Sequence, residues 1–255
     1  MSIQKHQILN LLLRSWPHGT VAVTSWLKEQ GVSRQLAVQY QKSSWITSIG
    51  QGAFIQVGDR VDWMGGVYAL QSELHLPVHV GGRTALQMQG AAHFLPMGVG
   101  HPTFLFGLKR SLPKWFTKYA WNHPVHNIYT NSFAYQGSTG LTEKDLGTYS
   151  IQLSTRELAM LEVLFLIGTY ETYDHAVLLM EGLHTLRPDM VQELLEKCSS
   201  VKVKRLFMYL AEHFDHPWVK RLDLSKVDFG RGKRMLAGGG QFDSKYNISV
   251  PKIAQ

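Results

Sequence analysis

Between Val21 and Val57 the chain reads VAVTSWLKEQGVSRQLAVQYQKSSWITSIGQGAFIQV, and within this one stretch its hydrophobic period changes from helical to alternating. Few folds accept two short helices, a tight turn and a hairpin in so little chain. Thr24 stands where an N-cap is expected, Ser25 to Glu29 continue as helix formers, and Gly31 can take the left-handed conformation that ends a helix. Ser33 is a second N-cap, and Val32, Leu36 and Tyr40 recur at four-residue spacing as the apolar stripe of a helix packed on one side. After Ser44, Trp45 and Ile46 form one apolar segment and Phe54, Ile55 and Val57 the next, with Gly50-Gln51-Gly52 between them as a hairpin turn. Upstream, Ile8, Leu9, Leu12 and Leu13 give Ile3 to Ser15 a buried face, and Trp16-Pro17-His18-Gly19 stops that helix. Helix, turn, helix, turn, helix, hairpin is the order of a winged helix-turn-helix. The same order used only for packing would be a small α+β domain.

The polar side of the second short helix carries Arg34, Gln35, Gln39, Gln41 and Lys42, and no acid occurs from Ser33 to Val57. These are side chains that suit duplex DNA: arginine for guanine, glutamine for adenine, lysine for the phosphate backbone. Thr24 at the head of the preceding helix and Gln51 at the hairpin tip join the candidate DNA-binding set.

A chain of 255 residues has room for one large or two medium domains. Its N-terminal MSIQKHQILNLLLRSWP is read as an amphipathic helix and not as a secretion signal, because Gln7, Asn10 and Arg14 interrupt the apolar run at helical spacing. No apolar run approaches the roughly 18 residues of a membrane span. One cysteine, Cys198, forms no internal disulfide, so a cytoplasmic protein is expected. The formal charge of +7 favours an anionic partner, yet residues 1–80 hold six basic and four acidic residues, so the helix-turn-helix is no strongly basic module. Residues 202–234 hold nine basic and four acidic residues. Their clusters KVKR and GRGKR make Lys202, Lys204, Arg205, Arg231, Lys233 and Arg234 candidates for phosphate contact, or else a solvated helix face and a charged loop. Arg83, behind Gly81-Gly82 at a helix start, is a further candidate for an anion or for bracing two domains.

The expected fold class is α+β: a winged helix-turn-helix domain over residues 1–95 with trailing helices, then a larger mixed domain over 96–255 with helices concentrated in its later half. Val61 to Leu74 and Arg83 to about His93 read as helices, Val78 to Val80 as an extended link, and the Pro96, Gly98, Gly100, Pro102 cluster as the boundary. Thr103–Phe106, Asn127–Thr130 and Thr148–Leu153 read as strands, with a loop at Gly137–Gly140. Ser154-Thr155-Arg156-Glu157 fits a capping box opening an apolar helix. Tyr173–Gly182, Pro188–Cys198 and Val201–Phe214 read as further helices, and Tyr246–Lys252 as a last strand.

With these segments in order, VSRQLAVQYQKSSWITSIGQGAF, GGRTALQMQGAAHFLP at 81–96, LSTRELAMLEVL at 153–164 and PWVKRLDLSKVDFGRGKR at 217–234, the chain resembles the AbiEi antitoxins of type IV toxin–antitoxin systems over nearly its whole length. The resemblance implies an N-terminal winged helix that binds inverted repeats in its own promoter and represses the operon. It also implies a C-terminal domain that counters a nucleotidyltransferase-like toxin without forming a stable complex. The DNA-reading helix would be Ser33–Ser44, with Arg34, Gln35 and Gln39 towards bases and Lys42, with Ser33 or Ser43, towards phosphate.

No catalytic, metal or cofactor site is expected. His123-Pro124-Val125-His126 and Glu212-His213-Phe214-Asp215-His216 lack the two-histidine helical spacing of zinc sites. Gly230-Arg231-Gly232-Lys233 has neither the spacing nor the hydroxyl of a phosphate loop. Trp115, Phe116, Tyr119 and Trp121 around Lys114 and Lys118 read as core with an aromatic rim, or as a stacking platform for single strands. The alternative function is a nucleic-acid-processing or nucleotide-modifying enzyme targeted by the winged helix, which would need convergent acids or a metal in the later domain.

Overall fold

A computed structural model describes residues 3–91, 102–107, 111–133, 135, 139–236 and 240–253, with side chains from Gln7 onward. The elements in chain order are α1 (Ile3–Ser15), β1 (Ala22–Val23), α2 (Thr24–Glu29), α3 (Arg34–Lys42), β2 (Ile46–Gly50), β3 (Ala53–Gln56), α4 (Trp63–Tyr68), β4 (Val78–Val80), α5 (Gly82–Met88) and β5 (Thr103–Gly107). They continue as α6 (Lys114–Lys118), β6 (Val125–Tyr129), β7 (Leu141–Asp145), β8 (Ser150–Ser154), α7 (Arg156–Leu166), α8 (Tyr173–Glu181), α9 (Pro188–Lys197), α10 (Val201–His213), β9 (Arg234–Met235), β10 (Gln241–Asp243) and β11 (Ile248–Val250). The fold is α+β, with sheets ordered β1-β3-β2, β6-β5-β4-β8-β7 and β10-β11-β9. The link expected at Val78–Val80 is a strand, parallel to β8 with Val80 opposite Leu153. Of the boundary cluster, Pro96, Gly98 and Gly100 lie outside the described residues, as do Gly137 and Ser138 of the loop expected at Gly137–Gly140. The chain forms two compact units: Met1–His79 with Val99–Asn127 and Glu143–Gln152, and Val80–Gly98 with Ile128–Thr142 and Leu153–Gln255.

In the first unit, Leu9, Leu12, Trp16, Leu27, Val32, Leu36, Tyr40 and Ile46 form one buried cluster, so the four-residue stripe of α3 faces inward as its spacing predicts. Ser33 caps α3, its hydroxyl accepting from the Leu36 amide. Ser33→Ala should therefore cost about 1 kcal/mol of stability, read as a lower thermal midpoint. Thr24 does not cap α2. Val23 holds that position because Ala22 and Val23 pair with Phe54 and Ala53, and the helix begins directly off the strand. The Thr24 amide and hydroxyl both bond the Gly52 carbonyl instead, at 2.9 and 3.2 Å, tying α2 to the hairpin turn. In β3 the inward residues are Ala53 and Gln56, while Ile55 is half-buried and Val57 exposed. Gln56 goes inside because its amide donates to the Trp16 carbonyl, left open near the end of α1, at 3.2 Å.

The helix expected over 61–74 forms, but its second half, Ala69–Glu73, is a π-helical turn. That wider turn brings Leu70 and Glu73 both to the buried side. Glu73 accepts from the Val23 amide at 2.7 Å, and burial pushes its carboxyl up to about 8.

The second unit is built round α7, whose Leu158, Ala159, Met160, Leu161, Val163, Leu164 and Leu166 are all buried. A helix buried on nearly every side belongs at the centre, and α5, α8, α9 and α10 pack against it. The expected capping box is not made. Thr155 is the N-cap, the Ser154 hydroxyl donates to Glu162 at 2.7 Å, and Glu157 takes a bidentate pair from Arg187, which holds its carboxyl below the usual range. Glu162, fully buried, also accepts from the Gly82 amide at 2.8 Å and from the Tyr135 hydroxyl at 3.2 Å. The helix expected to reach His93 ends at Met88, where Gln89 is the C-cap and Gly90 turns left-handed.

Candidate nucleic-acid interface

Once Leu36, Ala37 and Tyr40 are committed to the core, the geometry of a helix leaves α3 one outward face. Arg34, Gln35, Val38, Gln39 and Lys42 occupy it, all exposed, within an arc of about 140° at 100° per residue. Ser33 and Ser43 bracket the helix at its two caps, both exposed. The antiparallel hairpin β2–β3 stands beside it, with a bulge between Ser48 and Gly50 that the Ser48 hydroxyl closes by donating to the Gly50 carbonyl at 2.9 Å. Between helix and hairpin is a cleft of about 510 Å³ whose lining includes Thr24, Arg34, Val38, Gln51 and Phe54 and no acid. The helix face and the hairpin tip predicted from sequence thus border one surface.

Sequence reading did not place α6 there. The backbone of Gly50 touches α6: a Cβ on that glycine would lie 2.8 Å from the Trp115 Cβ and 3.0 Å from its Cα. Trp115 and Phe116 are buried and the Trp121 indole donates to the Phe116 carbonyl at 2.7 Å, so these aromatics serve as core, with Tyr119 and Trp121 half-exposed at the rim. Lys114, Thr117 and Lys118 remain exposed. One signal did exist in the sequence: no acid occurs between Glu73 and Glu143.

The basic segment of the second unit divides sharply. Arg205 is 2% exposed, and its guanidinium donates to the carbonyls of Phe229, Gly230, Gly232 and Asn247 at 2.6–3.2 Å. It holds the protein's own backbone and has no surface for a phosphate; Lys204, 3% exposed, has none either. Lys202 is half-buried, its ammonium 3.3 Å from the Ile167 carbonyl, and burial pulls its pKa down. Arg231, Lys233 and Arg234 are exposed, with the Lys233 ammonium 4.9 Å from the Phe242 ring centre. The 230–233 turn differs from a phosphate cradle, because the carbonyls of Gly230 and Gly232 point at Arg205 and the Gly230 amide goes to Asp228. Arg83 is turned to the protein as well: its Nε lies 3.4 Å from the buried Glu171 carboxylate, which also meets His175 at 2.6 Å. The amide behind it, on Gly82, is already taken by Glu162.

The histidine clusters also serve packing. His126 stacks on Phe104, and the buried His216 ring bonds the Met180 carbonyl at 2.8 Å. Among the described residues no group of three or more His, Cys, Asp or Glu is placed to hold a metal ion, and no helix is long and apolar enough to cross a membrane. Cys198 is buried, and burial pushes its thiol up, which disfavours the reactive thiolate.

No curated protein matches the chain. Among solved structures it is similar to the crystal structure of the Rv2827c protein from Mycobacterium tuberculosis, with a TM-score of 0.63 at 14% identity over 98% of this chain and 92% of that one, a likeness of fold. Two family profiles match it: residues 5–97 match the N-terminal domain of transcriptional regulators described as AbiEi antitoxins, and residues 102–251 match the AbiEi antitoxin regulators of type IV toxin–antitoxin systems. The matches cover both halves of the chain and agree: the chain belongs to the AbiEi family of antitoxin transcriptional regulators of type IV toxin–antitoxin systems.

Proposed function

We propose that this protein represses its own operon by binding inverted repeats in the promoter through α3, and that it counters a nucleotidyltransferase-like toxin without a stable complex and without catalysis of its own. It acts where its DNA is, in the cytoplasm. The observation that carries the reading is the outward face of α3: five exposed side chains, none acidic, flanked by two capping serines and next to a hairpin. Arg34, Gln35 and Gln39 read base edges in the major groove, and Lys42, Ser33 and Ser43 hold phosphates. Thr24 and Gln51 border the same cleft and meet the backbone from the hairpin side. Arg231, Lys233 and Arg234 offer a second, weaker phosphate contact from the other unit.

Binding of the full chain to a duplex from upstream of its gene, followed by mobility shift, tests this assignment. Arg34→Ala and Gln35→Ala should each reduce discrimination between operator and scrambled duplex by about 1–3 kcal/mol. Lys42→Ala should weaken both duplexes alike and lower the salt slope by about one. Unchanged binding in all three variants would show that α3 is not the reading helix.

A further inference from the structure

The hairpin of this chain presents a difficulty for the function just proposed. A wing that lies along a duplex needs positive charge, because most of the affinity comes from neutralised phosphates. Residues 45–57 contain no lysine or arginine, and the tip is Gly50-Gln51-Gly52. The fold supplies the missing charge from elsewhere. Helix α6 is seated on strand β2 of the wing, and the contact is close enough that Gly50 has to be glycine. Trp115 and Phe116 anchor α6 in the core, which leaves Lys114, immediately before the tryptophan that touches Gly50, and Lys118, one turn later, exposed to solvent.

Neither lysine forms an ion pair among the described residues, and Thr117 between them bonds back to the Lys114 carbonyl. The surrounding segment is electrostatically one-sided. Residues 99–127, the part of the first unit that bears α6, hold Lys109, Arg110, Lys114 and Lys118 and no acid. The first unit therefore carries two acid-free stretches, α3 with its hairpin and the segment bearing α6, and the contact at Gly50 joins them. Two ammonium groups that stay hydrated and unpaired beside an uncharged wing suit a ligand whose charges are spaced along a line, as phosphates are on a duplex.

We propose that Lys114 and Lys118 are phosphate-contacting residues of the DNA interface, so that α6 serves as the charged part of the wing. The proposal rests on the reading of α3 as the DNA-binding helix. It predicts a sequence-independent contribution, since phosphate contacts position the protein and carry no base information.

The test measures affinity of the full chain at several salt concentrations, for a duplex from upstream of its gene and for a scrambled duplex of equal length. In the Lys114→Ala/Lys118→Ala variant the slope of log affinity against log salt should fall by about two for both duplexes, with preference between them unchanged. Between 50 and 200 mM salt the variant should then lose about tenfold less affinity than the wild type. Lys114→Arg/Lys118→Arg should keep the wild-type slope. Equal thermal midpoints show that the fold is intact; if the double variant melts lower, Lys114→Gln and Lys118→Gln taken singly should each lower the slope by about one. A wild type that binds while the double variant keeps its full slope overturns the proposal and leaves the role of α3 standing. A variant that loses operator preference at unchanged slope overturns it as well. A wild type that binds neither duplex removes both readings together.

Discussion

Arg205→Ala is expected to destabilise the unit containing α10 by more than about 4 kcal/mol, because it leaves four carbonyls gathered around a buried guanidinium without a donor. The same change should leave the discrimination between operator and scrambled duplex untouched, because α3 belongs to the other unit. Chemical denaturation reads the first effect, and hydrogen exchange should show protection lost over 229–236 and 240–250, where all four acceptors lie. Arg205→Lys should not restore stability, since a compact ammonium cannot span acceptors that a planar fork reaches together. A loss below about 1 kcal/mol would show that the four bonds are replaced by water at no cost. The cost is high because the partners around the guanidinium are carbonyl acceptors, none of which can donate to another once the arginine is gone.

The second large effect is on pH. With its carboxyl raised to about 8 by burial, Glu73 keeps its proton in the folded chain while the unfolded chain releases it near 4.5. The sign follows from that order. Stability is complete below about 4.5, declines as the pH rises because only the unfolded state gives up the proton, and stops declining once the folded carboxyl ionises above about 8. The span of the shift corresponds to roughly 3–5 kcal/mol between the two limits. Glu73→Gln retains an acceptor for the Val23 amide and carries no charge, so its denaturation midpoint should lack this decline and lie above wild type at pH 9. Parallel pH profiles for the two proteins would place the pH dependence elsewhere. The effect would reach the proposed DNA-binding face, because Glu73 holds the strand from which α2 departs and Thr24 at the head of α2 ties that helix to the hairpin turn.

The parts of the fold that rest on short-range rules were legible in advance. Ser33 caps α3 and Leu36 and Tyr40 face inward because capping and the four-residue stripe are decided within one or two helical turns. Where the same local rules met a competing long-range partner, they lost. Thr24 gave up its capping role once β1 paired with β3, and Ser154 and Glu157 gave up theirs to Glu162 and Arg187. The strand Leu141–Asp145, LTEKD, is exposed along most of its length and carries no alternation to announce it.

For the candidate site the division has the same origin. Composition established that α3 and its hairpin contain no acid and that the 202–234 segment is rich in cations, since charge is a property of the residues themselves. Whether a cation is available to a ligand depends on what surrounds it. Arg205 and Lys204 look like surface charges in the string KVKR and are buried, while Lys114 and Lys118 look like part of an aromatic segment and are exposed beside the wing. By itself the sequence determined the capped and striped helices such as α3, the hairpin and the sign of the charge, because those follow from neighbours a few residues apart. Only the tertiary structure decided which charges face solvent and which elements share a surface, because burial is set by contacts between residues far apart along the chain, such as Gly50 with Trp115 and Arg205 with Asn247.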